Sequence, residues 1–435
     1  MSFRYIYLLE MVVEQTTYIS LKSSILEIAF RGRSLEINEN KSRVKGVRIL
    51  KDGVYGIASS NKEDFKTLKE KALKAVSMSR RTTKKIEGLA EAKLAKGSYK
   101  ASYEIDAEEA VDYVVSLSDN IRDFLHPLEV IPEVILTAYT TERNIITSDG
   151  ANASEEKTIV ELIASATYSS KTASTIVGFT GNLKYLPDPS LIAKKISSRL
   201  LAMLKARPLD IFRRGLKYTV VFSSECSGAL FHEVVGHLLE ADVVVERNLG
   251  IRPGAKLFKS NITVVDDPLV PEGYASYFFD DEGVYASRKT LVENGTIVSL
   301  LHTRWTAYIM KAPPNASARG LFIQPKAMQS NLVVKPRDWK TSELIEETRE
   351  GFYIEGLVKA ELKDNIVTVV PEAFYYIEKG EIKYAVNATE VRLSPRTLLR
   401  EQIDVGRSLS MRISSEKGFP IAEIAPPIRL KAVVV

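Results

Sequence analysis

Residues 230–242 read "LFHEVVGHLLEAD", and two of the chain's four histidines, His232 and His237, stand here with Glu233 directly after the first. Neutral imidazole is the commonest protein ligand for transition metals, and a carboxylate beside such ligands is suited to take a proton from bound water. The chemistry this grouping suggests is metal-assisted hydrolysis. Its spacing, HExxxH, is one residue longer than the HExxH of zinc peptidases. On a regular helix at roughly 100° per residue, histidines four apart lie about 40° from each other and face one ion, whereas five apart they diverge by about 140°. Two readings follow. Either the histidines are packed side chains that fall near each other by coincidence, or the helix carries one extra residue in this turn. A π-bulge of that kind restores the two rings to one face, and Gly236 sits where backbone distortion is best tolerated.

The elements that must position this segment follow from periodicity. "SILEIAFRGRSLEINENKSRVKGVRILKDGVYGIASS" alternates apolar and polar residues between turns such as Lys51-Asp52-Gly53, which predicts antiparallel strands. "KEDFKTLKEKALKAVSMSRR" has helical spacing, and "DAEEAVDYVVSLSDNIRDFL" is a second helix opened by Asp106. Two strands joined through Asp149-Gly150 come next, then a third helix, "SLIAKKISSRLLAMLKA", running up to Pro208. After this point "GLKYTVVFSSE" reads as a buried strand feeding the HExxxH helix, and short apolar runs between turn signals continue to the C-terminus, with one further helix at "TSELIEETREG". The expected fold is α+β: a mixed α/β domain over residues 1–207, then a β-rich domain over residues 208–435 that carries a distorted HExxxH helix.

Composition narrows the function classes. The net charge of +5 comes from 60 basic and 55 acidic residues, and no helix-turn-helix, zinc-finger or basic-aromatic pattern is visible, which argues against nucleic acid as the partner. The single cysteine, Cys226, excludes an intramolecular disulfide and fits a reducing compartment. The N-terminus "MSFRYIYLLEMVVEQ" is interrupted by Glu10 and Glu14 and lacks a cleavage-site pattern, and no apolar run approaches the ~18 residues of a membrane span, so the expectation is a cytoplasmic protein without a membrane partner.

"GALFHEVVGHLLEAD" resembles the metal-site segment of the TldD/PmbA family, the "modulators of DNA gyrase" now regarded as metallopeptidases. The resemblance extends through "ITVVDDPLVPEGYASYFFDDEGVYASRKTLVENGTIVSLLHTRWTA", "APPNASARG", "GFYIEGL" and "PEAFYYIEKGEIKYAV", and in the first half through "GVRILKDGVYGIASSN". The HExxxH places the chain with the TldD type rather than the PmbA type. The resemblance implies one zinc held by His232 and His237, Glu233 as the base that activates water, unfolded peptides or small proteins as substrates, and a dimer, either of two copies or with a PmbA-like subunit.

At two places the chain departs from the family pattern. The family's third ligand is a cysteine in a "CGKxGQ"-like segment, and the matching stretch "ISSEKGFPIAEIAPPIRL" has Ser414 and Ser415 there. A hydroxyl that stays protonated is a poor zinc ligand beside a thiolate. Glu240, three residues after His237, and Cys226, six before His232, are substitutes within the same segment, and His302 is a more distant one. The residues ahead of "SLKSSILEIAF" are also too few for the helix the family places there. The leading reading is a TldD-like zinc peptidase; the alternative is a metal-free, non-catalytic member that binds peptides or a partner subunit. Asp280, Asp281 and Glu282 read as an acidic turn that could also shape a cleft or take a second cation, and Arg319 as a residue that could hold a substrate carboxylate.

Overall fold

The computed structural model describes residues 14–79, 85–208 and 215–435. The N-terminal "MSFRYIYLLEMVV" and most of the basic run "RRTTKK" at residues 80–85 lie outside them. Among the described residues, strands form sheets of seven, six, two and nine members, and no helix is long and apolar enough to cross a membrane.

Period-2 patterning in the first half produces the strands β1 (Gln15–Arg31), β2 (Ser34–Lys51), β3 (Val54–Ser60), β4 (Lys96–Ala101), β5 (Ile131–Thr147), β6 (Asn152–Tyr168) and β7 (Lys171–Thr180). They pair in the order β3-β2-β1-β5-β6-β4, antiparallel except for β4 beside β6, with β7 also on β6. One face is covered by helices. Helix α1 (Phe65–Ser79) sets Leu68, Ala72 and Val76 on Val47 and Ile49. Helix α2 (Ala107–Leu125) is capped by Asp106, whose carboxylate accepts the amides of Glu108 and Glu109. With α3 (Pro189–Leu204), it buries Ile28, Val134, Leu136, Val160 and Leu162.

The other face of this sheet meets the C-terminal half, and a buried cation holds the junction. Arg143 on β5 pairs with Glu155 at 2.8 Å and with Asp281, donates to the Phe279 carbonyl at 2.6 Å, and lies over the Phe279 ring. Arg48 on β2 donates to the carbonyls of Gly320 and Asp281 at 2.7 and 2.6 Å. The acidic turn is therefore a buried connector. Asp280 accepts the amides of Glu282, Val284 and Ala318, and Glu282 accepts that of Arg304.

In the C-terminal half, β8 (Lys217–Phe222) runs inside the nine-stranded sheet and passes directly into helix α4 (Ser224–Phe231), with Ser223 as its cap. One edge of that sheet is β9 (Lys359–Lys363). Helix α4 lies between this sheet and the six-stranded one, which ends in the hairpin of β10 (Ser410–Glu416) and β11 (Phe419–Ala425). Cys226, Leu230, Phe231, Val234 and Val235 share one core with Val220, Phe222, Phe352 and Phe374.

Removing the Arg143 side chain leaves the buried carboxylates of Asp281 and Glu155 without their cation, so Arg143→Leu is expected to cost about 3–5 kcal/mol. Thermal unfolding followed by circular dichroism checks this, and a midpoint equal to the parental one would remove Arg143 from the junction's energetics.

Candidate metal centre

Helix α4 does not continue as a regular helix past Phe231. Residues His232–Gly236 form a π-helical turn, and the His237 amide donates to the His232 carbonyl, an i to i+5 bond. A tighter turn, His237–Leu239, follows. The extra residue in the turn brings both imidazoles to one side, with Nε2 of His232 3.1 Å from Nε2 of His237 and the ring planes at 84°. The HExxxH segment is thus distorted as its spacing requires. Gly236 has a negative φ of −52°, so its role is spatial rather than conformational. A Cβ there would lie 2.2 Å from Oε1 of Gln329. The Gln329 amide occupies that space and lies 2.9 Å from Nδ1 of His232.

Carboxylates hold the far nitrogen of each ring. Nδ1 of His232 is 2.6 Å from Oε1 of Glu423 on β11, and Nδ1 of His237 is 3.1 Å from Oε1 of Glu240. With both Nδ1 atoms held by carboxylates, the two rings as neutral imidazoles would present both Nε2 lone pairs to the same point, an arrangement that metal-ligating histidines share. Burial disfavours charge on His237. The hydrogen bond and charge of Glu240, with the charges of Glu416 and Glu233, outweigh it and raise its pKa to about 9. For Glu423, burial opposes ionisation, but the guanidinium of Arg412 at 2.7 Å and the hydrogen bond to His232 hold the carboxyl down at about 2. The centre is thus a negative field that favours a cation at its focus, whether a proton on His237 or a metal ion between the two Nε2 atoms.

A carboxylate oxygen converges there from β10. Oε2 of Glu416 lies 3.8 Å from Nε2 of His237, is buried, and accepts no hydrogen bond. One atom each from His232, His237 and Glu416 fall within 4.8 Å of one another. Tetrahedral zinc with ligands at about 2.0–2.1 Å separates neighbouring ligand atoms by about 3.3 Å, and two histidines with a glutamate are an established set that leaves a fourth position open. The residues fit zinc.

The other candidate ligands are placed elsewhere. Glu240 is spent on Nδ1 of His237, on the side away from the convergence. The Cys226 thiol lies in the core, donates to the Gly356 carbonyl at 3.0 Å, and is pushed by burial to a pKa of about 12. Ser414 shares a face of β10 with Arg412 and Glu416, but its hydroxyl lies 3.4 Å from Oε1 of Glu423, so it supports the carboxylate behind His232. Ser415 points to the opposite face and is exposed. His302 is buried beside Thr306, and burial lowers its pKa to about 4. Arg319 stacks on Tyr277 and Phe419 and donates to the Pro420 carbonyl, packed beneath the β10–β11 hairpin. Glu233 is brought to the site: it is 8% exposed, and its Oε2 accepts the Leu362 amide of β9 at 2.8 Å. Glu416, Glu423 and Gln329 were not anticipated from the sequence. Period-2 alternation was the available signal for Glu416, which must share a strand face with Ser414.

Family models of the PmbA/TldA metallopeptidase match three consecutive parts: domain 1 at residues 21–79, the central domain at residues 100–204, and the C-terminal domain at residues 215–435. A metalloprotease of Methanothermobacter thermautotrophicus is 26% identical over 426 residues, 93% of this chain and 91% of that one. A metalloprotease of Methanocaldococcus jannaschii is 28% identical over 343 residues, 75% and 74% of the two chains. A protein of Saccharolobus solfataricus named as a zinc metalloprotease TldD homologue is 25% identical over 250 residues, 56% of this chain and 55% of that one. The crystal structure of TldE from Thermococcus kodakarensis superposes with a TM-score of 0.76 at 16% identity, covering 97% of this chain and 96% of that one, so it shares the fold. With all three parts of the family's architecture matched in order, the chain belongs to the PmbA/TldD metallopeptidase family.

Proposed function

We propose that this chain is a zinc-dependent peptidase acting on unfolded peptides or small proteins, with His232, His237 and Glu416 as the metal ligands and Glu233 as the proton carrier. The observation that carries the reading is the buried carboxylate oxygen of Glu416, which has no hydrogen-bond donor and points at the two Nε2 atoms. A buried polar oxygen without a partner is costly unless a bound group answers it. When bound, zinc lowers the pKa of a coordinated water and polarises a carbonyl.

The remaining work falls to the chain's own side chains. Glu240 and Glu423 fix the tautomer and orientation of the two rings. The Leu362 amide holds one oxygen of Glu233, so the other is left to take a proton from water and return it to the leaving amine. A substrate laid out as an extended strand beside a sheet edge is recognised through its main chain, which suits unfolded polypeptide without demanding particular side chains. The active assembly in this reading is a dimer, of two copies or with a PmbA-like subunit. The serines at 414 and 415 favour the metal-free alternative only if no other residue replaces the family cysteine, and Glu416 is positioned to do so.

Elemental mass spectrometry of the purified protein is expected to find about one zinc per chain. Glu423→Gln should weaken zinc about 10–100-fold, the usual cost of losing an outer partner, and Glu416→Ala should weaken it more. Parental zinc affinity in Glu416→Ala, with loss in His237→Ala, would show that the carboxylate is not a ligand. Glu233→Gln is expected to keep its zinc and to hydrolyse an unfolded casein substrate about 10²–10⁴-fold more slowly. Hydrolysis at the parental rate would assign the proton transfer to another group.

A further inference from the structure

The junction between the two halves holds positive charge that its carboxylates do not answer. Glu155 and Lys157 are neighbours on the face of β6 that looks towards the C-terminal half. Lys157 donates to the Ser276 carbonyl at 2.8 Å, and the ring of the next residue, Tyr277, lies 4.4 Å from the guanidinium of Arg319. The two cations thus grip adjacent residues of one segment. Arg319, in the short strand Ala318–Arg319, is 4% exposed. Its Nη2 donates to the Pro420 carbonyl at 3.3 Å, and its Nε is buried without a partner. The carboxylates around them are already taken. Glu155 accepts from Arg143 and from the Phe278 amide, and Asp281 from Arg143 and from the Gly320 amide. Asp266 is held by Lys289 and Ser330, and Asp280 by the amides of Glu282, Val284 and Ala318. Among the described residues, no ion pair engages Lys157 or Arg319. Burial lowers the pKa of Lys157, Glu155 opposes this, and the charges of Arg143 and Arg319 help to carry it down to about 8.

We propose that Lys157 and Arg319 form a binding site for one oxyanion, a carboxylate or a phosphate group, in the junction beneath the β10–β11 hairpin. Cations drawn out of water without a counter-charge are costly, and an anion that accepts from both offsets that cost. The donors select an oxyanion. A guanidinium presents parallel N–H groups that match two oxygens of one carboxylate or phosphate, and an ammonium adds a point charge. Arg319 is also oriented in advance. Its guanidinium lies against the rings of Tyr277 and Phe419, at 4.4 and 5.5 Å, and the Tyr277 hydroxyl is anchored on the Ala316 carbonyl at 2.6 Å. Phe419 stands opposite Glu416 in the hairpin register. The oxyanion therefore ties the hairpin that carries Glu416 to β6 of the other half. The site uses no metal and does not depend on the peptidase reading. Its ligand has two sources, a free oxyanion such as inorganic phosphate or the terminal carboxylate of a polypeptide.

Thermal unfolding of the full chain in inorganic phosphate, against sodium chloride at the same ionic strength, tests the site. Phosphate is expected to raise the midpoint of the parental protein. By calorimetric titration, Lys157→Met and Arg319→Gln are each expected to weaken phosphate about tenfold, whereas Lys157→Arg, which keeps the charge, is expected to retain it. The unanswered charge adds a sign that a merely structural lysine would not give. In chloride, Lys157→Met is expected to unfold at a higher temperature than the parent, and in phosphate the order reverses. A parent that phosphate stabilises no more than chloride overturns the site. Equal stabilisation of the parent and both variants assigns the phosphate to another place and overturns it too. A Lys157→Met midpoint lowered by the same amount in both salts makes the lysine a packing residue. The source of the ligand is read with Glu233→Gln, in which peptides are cut slowly. Displacement of phosphate by trialanine, but not by trialanine amide, identifies a polypeptide carboxylate. Displacement by neither identifies a free oxyanion.

Discussion

The metal centre depends on a backbone constraint: two imidazoles five residues apart must face one point, and a regular helix turns them away from each other. The chain meets it with an i to i+5 bond from His237 to His232, in a turn that is intrinsically poor and survives only where its surroundings hold it. Those surroundings are specific. Val234 and Val235 are locked in the core on one side of the turn. On the other, Gln329 fills the volume that Gly236 leaves vacant, so a methyl group at residue 236 would collide with the amide that touches His232. Glu423 and Glu240 then fix the ring orientations from two separate elements. Loosening any of these lets the rings diverge.

Charge around the turn is divided by task. Glu423 is matched by Arg412 and by the donating nitrogen of His232, so it is a satisfied carboxylate that orients a ring and has little left to offer an ion. Glu416 is the opposite case. One oxygen meets Lys417 at 3.0 Å, while the other is buried without a donor and faces the nitrogen lone pairs. On one hairpin, Glu423 has both oxygens answered within the protein, whereas Glu416 keeps one oxygen on Lys417 and leaves the other open towards the histidines.

Much of the fold was legible because local rules and tertiary packing agree there. The Asp106 cap, the period-2 strands and the helices at residues 65–79 and 189–204 follow from turn chemistry and apolar spacing. The π-helical turn was legible too, since five-residue spacing leaves no other way to bring the rings together. The proposed third ligand, Glu416, was not. It comes from a hairpin far along the chain, and matching residue types against a family cysteine drew attention to Ser414 and Ser415, whereas the carboxylate beside both histidines is two residues beyond Ser414 on the same strand face. The acidic run at Asp280–Glu282 reads as a turn and is one, but its part in the junction was hidden. Its carboxylates are consumed by backbone amides and by Arg143, partners that no local pattern reveals.

The N-terminal sheet takes part in the metal centre at one remove. Glu416 can approach the histidines only if β10 is held against α4, and the back of β10 is pressed by the other half of the molecule. Ile413 packs with Ile159 and Tyr274. Gly178 on β7 leaves room for that contact, for a Cβ there would fall 2.4 Å from Cδ1 of Ile413. The strand is clamped, its even-numbered face carrying Arg412, Ser414 and Glu416 towards the HExxxH turn and its odd-numbered face seated on the sheet. The hairpin turn at Lys417-Gly418, with φ of 51° and 83°, matches the twist of its strands and fixes the register that decides which face Glu416 joins. A slip of one residue would put Glu416 on the sheet side and Ser415 at the metal centre. Which side chain of β10 faces the two histidines is therefore a property of strand register, held by a junction whose buried cluster of Ile159, Tyr274 and Ile413 is drawn from both halves.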